Sequence, residues 1–192
     1  ETMDKVEVLI VDKTGTLTEG KPSLEATINV DEWSQEVVLR YAAAVNQNSE
    51  HPLAMAVNNV AQKENLFVPS VGMFESHTGK GVSGIVEAKK IALGNDKLMA
   101  DEKTLIDEQT KSDVAALQAK GKTVSYLSVN GKLAGYLVIS DAIKESSRKA
   151  ILTLMSQNVD VMMLTGDNAL TAKAVADELG LKYFKAQCLP ED

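Results

Sequence analysis

Asp12-Lys13-Thr14-Gly15-Thr16-Leu17-Thr18 follows directly on the apolar run Val8-Leu9-Ile10-Val11. An aspartate at the end of a buried β-type run, followed by a glycine and three hydroxyls, has the parts of a phosphoryl-transfer site. Strand C-termini are where α/β sheets collect their ligands. A glycine turn behind the carboxylate offers N–H groups and hydroxyls to a phosphate, and the carboxylate can serve as a nucleophile that forms an aspartyl phosphate. Asp, Gly and Thr also make ordinary turns, so recurrence adds weight. Leu164-Thr165-Gly166-Asp167-Asn168 repeats the arrangement, a strand ending in a hydroxyl and a glycine before a helix. Thr165 could donate to a phosphoryl oxygen on Asp12, with the helix N-terminus favouring that charge. Asp167 or Asn168 could equally be a simple N-cap.

The elements that position these residues follow from periodicity. A strand is expected over about Val6–Val11. Ser34–Val45 has apolar residues at helical spacing with Ser34 as N-cap, and a second helix starts at Pro52 and runs to about Lys63. Val71–Ser76, Gly81–Ala88 and Lys90–Leu93 read as strands, and Ser112–Ala119 as a helix stopped by Gly121. Thr123–Val129 and Lys132–Ile139 flank Asn130-Gly131, a two-residue hairpin signal. From Ser140 the pattern alternates: helix 145–156, strand 159–164, helix 169–179 ended by Gly180, strand 182–186. Alternation implies a parallel sheet. The first strand finds its α/β partners only after more than a hundred residues, so the economical reading is an insertion. Residues 1–23 with 132–192 form an α/β domain, and residues 24–131 an inserted α+β domain.

The heptapeptide resembles the phosphorylation motif of the P-type ATPases, within the haloacid dehalogenase superfamily of aspartate-nucleophile phosphotransferases. The resemblance implies a Rossmann-like parallel-sheet phosphorylation domain with an inserted nucleotide-binding domain. It makes Asp12 the nucleophile, with Lys13, Thr14 and Thr165 as further catalytic residues, and places Gly166 and Asp167 at the nucleotide and metal end. Phosphatases of the superfamily carry an acid two residues after the nucleophile. Thr14 cannot do that acid/base work at neutral pH, which favours a long-lived phosphoenzyme and an ATPase. Mg2+ is expected, held by Asp12 and the Thr14 carbonyl, because hard oxygens and phosphate predominate.

Ser49-Glu50-His51-Pro52-Leu53 resembles the His-Pro motif of the heavy-metal-transporting branch, which implies that His51 orients the adenine of ATP. A lone histidine at a helix start is otherwise most often a cap. Glu50 beside it is similar to the copper(I)/silver type. Gly79-Lys80-Gly81-Val82-Ser83-Gly84 matches G-x-G-x-x-G, but no helix follows it, so the dinucleotide reading fails. It resembles instead the Gly-x-Gly nucleotide loop of the same branch, where missing side chains let backbone approach the ligand. Gly94-Asn95 matches a further element near ribose and phosphates. Asn46 stands where the family has a glutamate that accepts from the adenine amino group. Asp141 and Lys144 resemble an element near the phosphates, or form a solvated i,i+3 ion pair. In the family the sequence beyond Asp192 supplies a lysine and a Gly-Asp-Gly-x-Asn-Asp segment. The chain therefore reads as a phosphorylation domain incomplete at its C-terminus, a cytoplasmic fragment of a membrane transporter, weak or inactive alone. Its partners are then ATP and the transporter's transmembrane and actuator domains. The alternatives are a soluble capped phosphatase or phosphomutase, and a nucleotide-binding fragment without activity.

Composition sets outer limits. The net charge of −7 argues against a nucleic-acid partner. No apolar run approaches the ~20 residues of a membrane span. One cysteine, Cys188, excludes an internal disulfide and reads as a small buried hydrophobe. Of the seven methionines, Met155, Met162 and Met163 fall in apolar patterns, so core filling outweighs a copper site. His77 has no ligand partners nearby in sequence.

Overall fold

The computed structural model describes residues 6–49 and 51–189. They form two units: residues 6–21, 118–122 and 141–189, and residues 22–49 and 51–117 with 123–140. The expected boundary at residue 132 is thus corrected. The strand Lys132–Ser140 is hydrogen-bonded on both sides within the antiparallel sheet, and the seam falls after Ser140.

The first unit carries a parallel three-stranded sheet of order β1-β8-β9, with β1 at Val8–Asp12, β8 at Asp160–Leu164 and β9 at Tyr183–Lys185. Helices α5 (Glu145–Ser156) and α6 (Ala169–Leu179) cover one face. There Ile151, Val175, Ala176 and Leu179 pack on Val161 and Met163, with Val11, Met155 and Phe184 at the margin. Gly180 ends α6 in the left-handed conformation that only glycine adopts without cost. Among the described residues the other sheet face is covered less, most plainly on β1 and β9. Ile10 is 58% exposed, Val8 50% and Tyr183 45%, so β1 is not the buried strand expected from its composition. Among the described residues it pairs on one side alone, with β8.

The second unit is a six-stranded antiparallel sheet of order β2-β7-β6-β5-β4-β3. Its strands are β2 (Ser23–Asn29), β3 (Gly72–His77), β4 (Gly81–Val86), β5 (Lys89–Gly94), β6 (Thr123–Val129) and β7 (Lys132–Ser140). Helices α1 (Gln35–Val45) and α2 (Pro52–Lys63) pack on one face around Val38, Tyr41, Val57, Ile91 and Leu137. The short α3 (Asp96–Asp101) and α4 (Glu108–Gln118) pack on the other, around Leu98, Met99, Val114 and Tyr126. Both faces of the central strands are therefore apolar. Asn130 and Gly131, at φ 50° and 76°, close the β6–β7 hairpin as a two-residue turn of the mirror-image type. Ser34 caps α1 as its sequence predicts, accepting from Val37 N–H at 3.2 Å. Strand β2 and helix α3 have no counterpart in the sequence reading. Helix α4 starts four residues before the expected Ser112, because Asp107 accepts from the Thr110 N–H and hydroxyl at 2.9 and 2.7 Å.

Candidate functional site

Parallel pairing of β1 with β8 sets Asp12 opposite Leu164. Both strand-end loops therefore emerge side by side at the C-terminal edge of the sheet. The chain behind Asp12 turns at Thr14 (φ −76°, ψ 122°) and Gly15 (φ 76°, ψ −17°), a type II turn whose second corner needs glycine. Thr18, 1% exposed, holds the loop closed. Its hydroxyl accepts from Gly15 N–H at 3.1 Å and donates to Asp141 Oδ2 at 2.5 Å, while its N–H donates to Lys13 O at 3.1 Å. Asp141 Oδ1 accepts from Lys21 N–H at 3.2 Å, and Lys144 Nζ donates to Gly15 O at 2.7 Å. Asp141 and Lys144 are thus braces of the turn, not an i,i+3 ion pair with each other.

Lys13 is buried and its ammonium pairs with Asp167 across the two loops. Thr165, 3% exposed, donates to Asp167 Oδ2 and accepts from Asp167 N–H, both at 3.1 Å. Its hydroxyl is therefore engaged within its own loop in this conformation. Asn168, not Asp167, caps α6, accepting from Thr171 N–H at 2.9 Å. Asp12, Thr14, Gly15 and Thr16 are exposed. The result is a hydrogen-bonded frame with a reachable carboxylate on its rim. Cys188 lies beneath this edge, half-buried, its thiol 3.4 Å from Lys185 O, so it is not a fully buried filler. Met163 is fully buried, whereas Met155 and Met162 are only half-buried.

The second unit gathers the remaining candidates. His51 is the N-cap of α2, and its Nδ1 accepts from Leu53 N–H at 3.2 Å. An accepting Nδ1 leaves the proton on Nε2, so the exposed ring presents an N–H donor outward. Partial loss of hydration holds its pKa below the ordinary imidazole value, in keeping with a ring that caps only when neutral. Asn46 is buried at the C-cap of α1. Glu50 lies outside the described residues.

The glycine loop has a structural cause as well as a possible ligand. A Cβ on Gly81 would lie 2.2 Å from Leu93 O, and one on Gly94 2.1 Å from Lys80 O. These glycines let the loop press against the end of β5. Asn95 staples the contact. Its N–H donates to Lys80 O at 2.9 Å and its Nδ2 to Gly79 O at 2.8 Å, while its Oδ1 caps α3 from Lys97 and Leu98 N–H. Asn95 is thus occupied at both ends of its amide. His77, before the loop, shares a 2.8 Å hydrogen bond with Ser83. Ser83 is 4% exposed, too deep for a nucleophile.

Among the described residues no group of three His, Cys, Asp or Glu could hold a metal ion. Asp12 and the Thr14 carbonyl offer two hard oxygens on an exposed turn. That set suits Mg2+, which takes one or two carboxylates and fills its shell with water and phosphate oxygens.

The sequence matches the haloacid dehalogenase-like hydrolase family over residues 6–190. It is 42% identical over 191 residues to the silver exporting P-type ATPase of Salmonella typhimurium, covering all of this chain and 23% of that protein. Identity to the copper-exporting P-type ATPase of Legionella pneumophila subsp. pneumophila is also 42%, over 196 residues, covering all of this chain and 26% of that one. The chain thus spans about a quarter of these relatives' length. Its fold is similar to a zinc-transporting PIB-type ATPase crystallised in an E2.Pi state, with a TM-score of 0.64 and 33% identity, covering 99% of this chain and 30% of that one.

Proposed function

The chain belongs to the haloacid dehalogenase-like hydrolases, and from that premise we propose that it is the ATP-binding and aspartyl-phosphate-forming region of an ATP-driven heavy-metal exporter. The copper(I)/silver type is the preferred cargo class. The region works on the cytoplasmic side of a membrane, with transmembrane and actuator domains elsewhere in the parent protein. Among the described residues no helix is long and apolar enough to cross a bilayer.

The observation that carries this reading is the exposed Asp12 on a braced type II turn with a threonine, not an acid, two residues later. An Asp12 carboxylate oxygen attacks the γ-phosphorus of ATP. The bond from that phosphorus to the β–γ bridging oxygen breaks, and its electron pair leaves with ADP. Positioning and charge neutralisation are the protein's main contributions to such a transfer. Lys13, on the same loop, supplies positive charge close to the nucleophile and ties it to the Thr165–Asp167 loop. Mg2+, when bound by Asp12 and the Thr14 carbonyl, would offset phosphate charge. Thr14 cannot activate water as a carboxylate would, so the aspartyl phosphate persists. His51 Nε2–H and the Gly79–Gly81 loop receive the nucleotide, with Asn46 as a neutral acceptor nearby in sequence.

Incubating the longest natural chain that contains residues 1–192 with γ-32P-ATP tests the proposal. Acid-stable, hydroxylamine-sensitive label that is lost in Asp12→Asn supports it. Label retained in Asp12→Asn, or rapid turnover of a small phosphomonoester, sinks it in favour of another nucleophile or a capped phosphatase.

A further inference from the structure

We infer that Lys80, the residue between the two loop glycines, is a phosphate-chain contact for a nucleoside triphosphate, held by Asp101 until the ligand arrives. The inference rests on the nucleotide reading above and adds to it the residue that distinguishes a triphosphate from a nucleoside. The backbone of Lys80 is fixed on both sides. Its N–H donates to His77 O at 2.9 Å, and its carbonyl accepts from Asn95 N–H at 2.9 Å. The neighbouring Gly79 carbonyl is held by Asn95 Nδ2 at 2.8 Å. The side chain is not held by these backbone bonds, and its Nζ reaches Asp101 Oδ2 at 2.6 Å.

That pair is a weak lock. Its side chains are 40% and 51% exposed, and exposed ion pairs are worth only about 0–1 kcal/mol. A triphosphate brings several negative charges and many acceptor oxygens to the same ammonium. A lysine on a flexible four-carbon stem can change partners without moving backbone. The competition has a local logic. Asp96 and Asp101 both sit on α3, next to the loop and its Asn95 staple, and they repel phosphates. With Lys80 bound to Asp101, one of these charges is masked. With Lys80 on the phosphates, the repulsion is offset at the ligand itself. The adjoining Glu102 has its own partner, Lys90 at 2.7 Å, and does not compete.

Calorimetric titration of residues 1–192 with ATP and with adenosine, at low and moderate salt, tests the assignment. Lys80→Gln should weaken ATP about five-fold and flatten its salt dependence, leaving adenosine affinity unchanged. Asp101→Asn should tighten ATP, by about two- to five-fold, because it removes both the competitor and a repelling charge. Equal ATP affinity in wild type and Lys80→Gln, or weaker ATP binding in Asp101→Asn, overturns the inference and leaves the nucleotide reading standing. Failure of the wild type to bind either ligand overturns both. Both residues are on the surface, and circular dichroism of each variant confirms that the fold is kept.

Discussion

Replacing His51 separates the helix cap its ring makes from the nucleotide contact proposed for it. In the first turn of α2, Pro52 has no N–H to satisfy, and Ala54 and Met55 N–H both reach His51 O, at 2.9 and 3.4 Å. Leu53 N–H is left to the ring at Nδ1. His51→Ala strips that acceptor, and loss of a side-chain cap costs about 1 kcal/mol at a site where water can take over. In a domain of roughly 100 residues this lowers Tm by about 4–8 °C. His51→Asn restores a side-chain acceptor and should recover most of the loss. It does not restore the Nε2–H donor or the ring face, so ATP affinity should fall in both variants alike.

Proton linkage gives a second handle. The native state holds the imidazole pKa below its unfolded value. The folded form therefore binds the proton more weakly, and the stabilisation is complete above the unfolded pKa of about 6.5. It declines as pH falls through the lower native value, when protonated Nδ1 can no longer accept from Leu53. Thermal melts of wild type, His51→Ala and His51→Asn between pH 7.5 and 5 check this, with ATP titrations at the upper end. Equal destabilisation of the Asn and Ala variants would refute the capping argument. Wild-type ATP affinity in His51→Asn would refute the recognition argument, and the two failures are independent.

Gly94→Ala should cost about 2–4 kcal/mol in chemical denaturation, since its Cβ would enter Lys80 O and Leu98 Cδ2, at 2.1 and 2.7 Å. Loss of nucleotide binding without loss of stability would assign that glycine to the ligand alone. Lys13→Met removes the ammonium that pairs with the largely buried Asp167. With side chains 9% and 13% exposed, the cost should be about 2–4 kcal/mol, and adding Asp167→Leu should recover most of it. Thr14→Asp, at an exposed position, places an acid two residues after the nucleophile and should speed loss of the 32P label at least about 100-fold. A label of unchanged lifetime would remove Thr14 from the account of persistence.

Much of this fold was legible because its signals are local. Pro52–Lys63, Glu145–Ser156 and Ala169–Leu179 have apolar residues at helical spacing, the first with a proline at its start and the last with Gly180 at its end, and they form at those bounds. The hairpin at Asn130-Gly131 is equally local. Strand β2 was missed because Ser23–Asn29 mixes polar and apolar residues, and its pairing with Lys132–Ser140 is set across more than a hundred positions. The boundary at 132 failed for a related reason. Leu133–Ile139 within this strand is one continuous buried run, as buried parallel strands often are, and it has that character here because helices cover both faces of an antiparallel sheet. At the site, Asp12 and Thr165 were evident from strand–loop punctuation. The bond of Thr18 to Asp141 was not, since no local pattern links residues 123 apart. The glycine loop was read as a place where backbone comes close to a nucleotide, and the close approach seen within the fold is a different one. Its visible partner is the backbone at Leu93 and Gly94.

The strand that delivers Asp12 is an edge of its sheet, with one hydrogen-bonded neighbour among the described residues and three of its five residues exposed. Opening of such an edge needs little free energy compared with the two-sided β8. Amide hydrogens of Val8–Asp12 should therefore exchange ahead of those of Asp160–Leu164. Phosphoryl transfer is sensitive to displacements of about 1 Å, so under the proposed function the fluctuation amplitude of this strand would bound the fraction of time in which the carboxylate is aligned for attack. Anything that damps β1, whether a paired strand or a layer laid over Ile10, would act as a rate enhancer without touching a reacting atom.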